Sequence, residues 1–115
     1  MPEEICNIDL IIDKLIDLAG HTEIAHHLPG RIRLKVKIAG LRLAQDLLTA
    51  NLTSCFRGIL DARTNAAARS IVISYDTELI APGFWERLIN AGKNSSLRTP
   101  VKDKLKSLAK QGLIP

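Results

Sequence analysis

The strictest hydrophobic pattern in the chain covers residues 31–38, where apolar and basic residues alternate. The apolar positions are Ile32, Leu34, Val36 and Ile38, and the basic positions are Arg31, Arg33, Lys35 and Lys37. A period of two is the geometry of a β-strand, because successive side chains point to opposite faces of the sheet. The pattern predicts a strand with one buried face and one cationic face. The cationic face is a candidate contact for anions or for a partner protein.

Four other segments space their apolar residues as helices do: 3–19, 41–55, 82–91 and 99–110. Gly20 and Gly92 follow two of them, as glycines at helix ends do. The first helix is amphipathic, and its polar face contains Cys6, Asp9, Asp13 and Asp17. Such a row could hold a cation, although a solvated polar face is the commoner meaning of this pattern.

Residues 58–64 and 70–75 read as two more strands joined by a turn at Asn65. The order predicts an α+β protein with a ferredoxin-like sandwich, βαββα, between an added N-terminal helix and a basic C-terminal helix. The expected segments are 1–20, 21–93 and 94–115. No convincing fourth strand follows Gly92, so a three-stranded sheet or an edge shared with a second copy is expected. Homo-oligomers could form through that edge or through the first helix.

Composition narrows the function classes. The 115 residues suit one domain, and a hydrophobic content of 46% excludes a disordered chain. With 3% aromatic residues and a net charge of +4, nucleic-acid binding is not expected, because bases would find few stacking partners. The two cysteines have no zinc-site spacing. The N-terminus is acidic where a signal peptide would be basic, so we expect a cytoplasmic location and reduced thiols. Cys55 falls on the apolar face of the helix predicted over 41–55, so we expect it to be buried. The apolar runs are too short to cross a membrane.

All three histidines, His21, His26 and His27, lie in the segment before the basic strand. Neutral imidazole binds transition metals and haem iron, so each is a candidate ligand. Adjacent residues of a strand point to opposite faces, so His26 and His27 are not expected to bind one ion together. Arg31 and Arg33 could pair with haem propionates. The alternative is that one histidine packs or hydrogen-bonds at the bend and the other is exposed.

The last helix is rich in lysine: Lys102, Lys104, Lys106 and Lys110. A basic amphipathic helix can lie on an anionic membrane, here the inner face, or dock on an acidic partner. A solvated helix that packs on its own domain is the commoner meaning.

Residues 26–93 resemble the cysteine-poor kind of heavy-metal-associated (HMA)-like domain. The resemblance rests on His27-Leu28-Pro29-Gly30-Arg31-Ile32-Arg33-Leu34 and on Ser70-Ile71-Val72-Ile73-Ser74-Tyr75-Asp76, with Gly58-Ile59 and Asn65 between them. Such domains occur at the N-termini of metal-transporting P-type ATPases and as small proteins beside iron-handling genes. The family's CxxC is replaced by Ala39-Gly40-Leu41-Arg42, which excludes dithiolate binding of copper or zinc there. Arg69 stands where relatives commonly have a turn glycine.

The resemblance implies a non-enzymatic binding module of transition-metal homeostasis. Its ligand would be haem or an ion of iron, zinc or copper, and its partner a P-type ATPase or other membrane protein. The alternative is an adaptor without metal that uses the basic strand and the lysine-rich helix. No nucleophile, phosphate-binding loop or carboxylate pair in the sequence indicates an enzyme.

Overall fold

A computed structural model describes residues 8–49, 52–65 and 67–109 and confirms an α+β architecture. The helices and strands, in chain order, are α1 (Ile8–Ala19), β1 (Thr22–Leu28), β2 (Arg31–Val36), α2 (Leu41–Thr49), α3 (Leu52–Cys55), β3 (Ile59–Asn65), β4 (Ser70–Tyr75), α4 (Phe84–Lys93) and α5 (Arg98–Leu108). Short 3-10 helices at Ile38–Gly40 and Ser95–Leu97 precede α2 and α5.

One antiparallel sheet contains all four strands, in the order β1-β2-β4-β3. The expectation of a three-stranded sheet is wrong. The fourth strand is β1, in the histidine-containing segment for which the sequence predicts no strand, and the described chain after Gly92 contains no strand. Strand β1 forms a tight hairpin with β2 around Pro29 and Gly30. Gly30 has a φ of 91°, a conformation that glycine adopts easily.

The alternation in β2 sorts its side chains as predicted, except at one position. Ile32, Leu34 and Val36 are buried, whereas the basic residues between them are exposed. Ile38 was expected to join the buried set, but it is 70% exposed. The strand ends at Val36, opposite the first residue of β1, and Ile38 already belongs to the 3-10 helix, where a period of two no longer applies.

Helices cover one face of the sheet and share one hydrophobic core with it. Helix α1 buries seven of its twelve residues, and it packs against α4. The two helices touch where Gly20 meets Gly92. There is no room for a methyl group between them: a Cβ on Gly92 would lie 2.5 Å from the carbonyl oxygen of Ile16. The close approach fixes how α4 lies over the sheet.

Helix α5 packs against α1 and brings basic side chains to the acidic face of that helix. Three ion pairs join the two helices: Asp17–Arg98 at 2.9 Å, Asp13–Lys102 at 3.0 Å and Asp9–Lys106 at 3.8 Å. The aspartate row of α1 is therefore paired within the protein, and Cys6 lies outside the described residues. Val101, Leu105 and Leu108 are buried beneath these pairs.

Several local expectations change in the structure. The helix expected over 41–55 is described as two helices, α2 and α3, on either side of residues 50–51. The helix expected over 99–110 begins at Arg98, one residue earlier, and Leu97 is its N-cap. Cys55 is fully buried, as expected, but it is disulfide-bonded and not a reduced thiol. Arg69 adopts a φ of 51°, the left-handed conformation that glycine would provide.

The described residues include no helix that is both long enough and apolar enough to cross a membrane.

Gly92→Ala is expected to destabilise the protein by about 1–3 kcal/mol, because the new methyl group meets backbone atoms that cannot rotate away. Helix propensity alone predicts the opposite, a gain in stability of up to about 1 kcal/mol, so the sign of the stability change distinguishes the two effects. Urea unfolding measures this change. Gly83→Ala is the control, because the nearest atom to its Cβ is 3.5 Å away on the flexible Arg87 side chain. Equal stability of the two variants would contradict the close contact.

Apolar contacts, rather than ion pairs, are expected to hold α5 in place. Leu105→Ala should cost about 2–5 kcal/mol, because Leu105 is almost fully buried. Lys102→Gln should cost less than about 1 kcal/mol, because both partners of its pair with Asp13 are more than one-third exposed. Urea unfolding of both variants at low and high salt tests this. A larger loss of stability for Lys102→Gln than for Leu105→Ala would contradict the prediction that apolar contacts hold α5.

Candidate functional site: the basic face of the sheet

A β-bulge in β1 decides which histidine lies on which face of the sheet. Ile24 pairs with Leu34 and His26 with Arg33, so Ala25 is an extra residue without a partner in β2. Alternation starts again after it. His26 consequently lies beside Arg33 on the face of the sheet that no described helix covers, which we call the uncovered face. His27 lies on the helix-covered face beside Ile32. The expectation that adjacent histidines point to opposite faces is confirmed.

His27 has a structural contact. Its Nε2 atom shares a 2.7 Å hydrogen bond with the hydroxyl group of Tyr75, which is buried. The Tyr75 ring in turn packs against Trp85, with ring centroids 5.1 Å apart. The bond satisfies a hydroxyl group that would otherwise be buried without a partner. Of the two adjacent histidines, His26 is the exposed one.

The three histidines do not converge. His21 lies between α1 and β1, at the opposite end of β1 from His27, and its Cβ atom packs close to Gly40. Within the described residues, no group of three His, Cys, Asp or Glu side chains could hold one metal ion. A multidentate site built from the histidine segment is therefore not assembled there.

The uncovered face carries the basic row of β2. Arg31, Arg33 and Lys35 are exposed on it, and none of them forms an ion pair with a described residue. Lys37 differs from these three: it follows the end of β2 and lies 3.9 Å from Glu23. The predicted row of four cations is thus a row of three on the face, with Lys37 beyond its end.

Sequence reasoning missed the other half of this face. A second bulge, between Ile59 and Asp61, sets Arg63 of β3 on the uncovered face, two strands from Arg33 and in the same row. The Arg63 Nε atom donates a 2.8 Å hydrogen bond to Asp61, which orients its guanidinium group. The alternation of Asp61, Arg63 and Asn65 with Ala62 and Thr64 is the signal that could have found it.

Small side chains on β4 make the face concave. Ser70, Val72 and Ser74 lie between the longer side chains of β2 and β3. The resulting depression has a volume of about 440 Å³ and is lined by Arg31, Arg33 and Arg63, among others. Here we call it the β4 groove. Arginine guanidinium groups bind carboxylates and phosphates in a bidentate manner, so the groove suits an anionic ligand.

A second depression lies next to the groove, on the β1 side. Its volume is about 340 Å³, and its lining residues are His26, Leu28, Arg31, Arg33 and Val72. Leu28 is 54% exposed. We call it the His26 patch. It combines one imidazole, two apolar side chains and two arginines.

The lysine-rich helix lies elsewhere and is not a free basic surface. Lys102 and Lys106 pair with aspartates of α1, so these two lysines have acidic neighbours within the protein. Lys104 is exposed and forms no ion pair with a described residue. Lys110 lies outside the described residues.

Comparisons with known proteins found no matching family model, no similar curated protein and no similar solved structure. The resemblance to HMA-like domains stays a prediction from the motifs. The candidate site rests on its own geometry: a concave sheet face whose arginines form no ion pair with a described residue, apart from Arg63 with Asp61.

Proposed function

We propose that this protein is a non-enzymatic binding module whose uncovered sheet face binds an anionic partner. One observation carries the proposal. Arg31, Arg33 and Lys35 form no ion pair with a described residue, whereas Arg98, Lys102 and Lys106 of α5 do. Like charges this close repel one another, and an anionic ligand would relieve that repulsion.

We also propose that the strands are arranged as in ferredoxin-like folds. Strands β2 and β3 are both antiparallel to β4, which lies between them, so they run parallel to each other and are joined by a helical crossover. We propose that this arrangement corresponds to the split βαβ unit of ferredoxin-like folds. We propose that β1 occupies the place of the last ferredoxin strand, as if that strand had moved to the start of the chain.

The charge of this face can be tested with fluorescein-labelled poly-L-glutamate at low salt. Arg31→Glu/Arg33→Glu is expected to weaken binding by at least about tenfold, or 1.4 kcal/mol, because two attractive charges become repulsive. Arg42→Glu/Lys104→Glu makes the same change in net charge on α2 and α5, and should weaken binding far less. Equal losses in the two double variants, with folding verified by circular dichroism, would contradict a specific role for this face.

Haem is a second candidate ligand, and the His26 patch favours it. Haem needs an axial ligand, apolar contact and counter-charges for its propionates, and His26, Leu28 and the two arginines offer these groups on one face. When bound, haem would supply iron chemistry or would itself be the cargo. The residues of the chain would bind and orient it. Of the three candidate histidines, we propose His26 as the ligand, because His27 lies on the helix-covered face and its Nε2 atom shares a hydrogen bond with Tyr75.

Haemin titration distinguishes the two histidines. If haem binds here, His26→Ala should remove the shift of the Soret band, whereas His27→Ala should retain it, because His27 lies on the opposite face. The matched alanine variants separate ligation from general loss of stability. No Soret shift with the unsubstituted protein, or the same shift in all three proteins, would remove His26 from this role.

A further inference from the structure

The β4 groove has a direction and a repeat as well as a charge. Its floor runs along β4 from Ser70 to Ser74, and β2 lines one wall with Arg31 and Arg33. Lys35 continues the same row of β2, because it pairs with Ser70 in the register of the sheet. Alternate residues of a strand are roughly 6.5–7 Å apart, so these cations recur at that interval along the groove. A ligand that matches them must repeat its negative charges at the same interval.

An extended peptide has this repeat. Acidic residues at every second position of an extended chain present carboxylates on one side, again roughly 6.5–7 Å apart. Laid along β4, such a segment would place successive carboxylates opposite successive cations of β2. Arg63 contributes from the other wall, because its bond to Asp61 uses only Nε and leaves the terminal nitrogens to donate.

Other occupants fit less well. Single-stranded nucleic acid binds through phosphate contacts together with stacking of bases on aromatic rings, and the described residues that line the groove include no aromatic one. A second copy of the chain would have to offer an acidic row, and the aspartates of α1 are already paired with α5. An acidic segment of a different protein is the occupant with the complementary charge.

We propose that the β4 groove binds an extended acidic peptide segment of a partner protein, with its carboxylates at alternate positions. This inference rests on the proposed anionic partner and names its chemistry and geometry. Arg31, Arg33 and Lys35 of β2 would match the spacing of the carboxylates, and the short side chains of β4 would leave room for the peptide backbone.

Two synthetic peptides of equal composition test the spacing: (Glu-Ser)₄, and a blocked peptide with four glutamates followed by four serines. Binding is followed by NMR titration of the amides of β2, β3 and β4. The alternating peptide should bind at least about fivefold more tightly, because an extended blocked peptide turns half of its carboxylates away from the groove. Arg33→Gln and Arg63→Gln should each reduce that preference, and Lys104→Gln, on α5, should not.

The outcomes separate this inference from the proposed function. If both peptides bind equally, or if the preference survives in both arginine variants, the inference is overturned, while the poly-L-glutamate result still decides the anionic partner. If an oligothymidylate of the same charge competes better than (Glu-Ser)₄ at the same salt concentration, the occupant is a nucleic acid and the inference is overturned. Shifts confined to β2–β4 together with the predicted preference support it.

Discussion

The structure depends on a sheet that the described helices cover on one face only. Its strands alternate their side chains between the helix-covered face and the uncovered face. The core forms because α1, α2 and α4 bury apolar residues on the same face, and α5 packs in turn on α1 and α4. Strand β2 shows the consequence most clearly: Ile32, Leu34 and Val36 contribute to the core, and the residues between them must face outward. Three of those outward residues are basic. The candidate site is therefore a direct result of how the core is built.

Intramolecular pairing divides the basic residues into two groups. On the helix side, arginine and lysine of α5 meet the aspartates of α1, and these exposed pairs contribute little to stability beside the leucine and valine contacts beneath them. On the uncovered face, the β2 row has no such acidic partners among the described residues. Basic residues of α5 are thus paired with α1, whereas those of the β2 row form no ion pair with a described residue.

The two bulges give the uncovered face its particular chemistry. Both lie in edge strands, where bulges also discourage pairing with another sheet. The bulge at Ala25 places His26 on the uncovered face and His27 on the helix-covered face, where His27 bonds Tyr75. The bulge after Ile59 places Arg63 in the same row as Arg33. Each bulge moves the residues that follow it in its strand to the opposite face of the sheet. The β4 groove and the His26 patch both depend on these shifts.

The sequence by itself determined the elements whose signals are local. The period of two in β2, the helical spacing in α1 and α4, and the strands β3 and β4 were predicted correctly because side-chain periodicity follows from backbone geometry. The sequence also indicated opposite faces for His26 and His27. It missed β1, because a bulge interrupts the alternation and leaves the segment looking like a polar linker.

Tertiary structure alone decided which face each group occupies and which charges remain available. The register of a hairpin is set by pairing with a neighbouring strand, so no count along β1 could assign its histidines once Ala25 was left unpaired. The pairing of Asp13 with Lys102 joins residues at opposite ends of the chain, and it appears only when α5 packs on α1. The concave basic face likewise exists only when β2, β4 and β3 lie side by side, because its walls and floor come from separate strands.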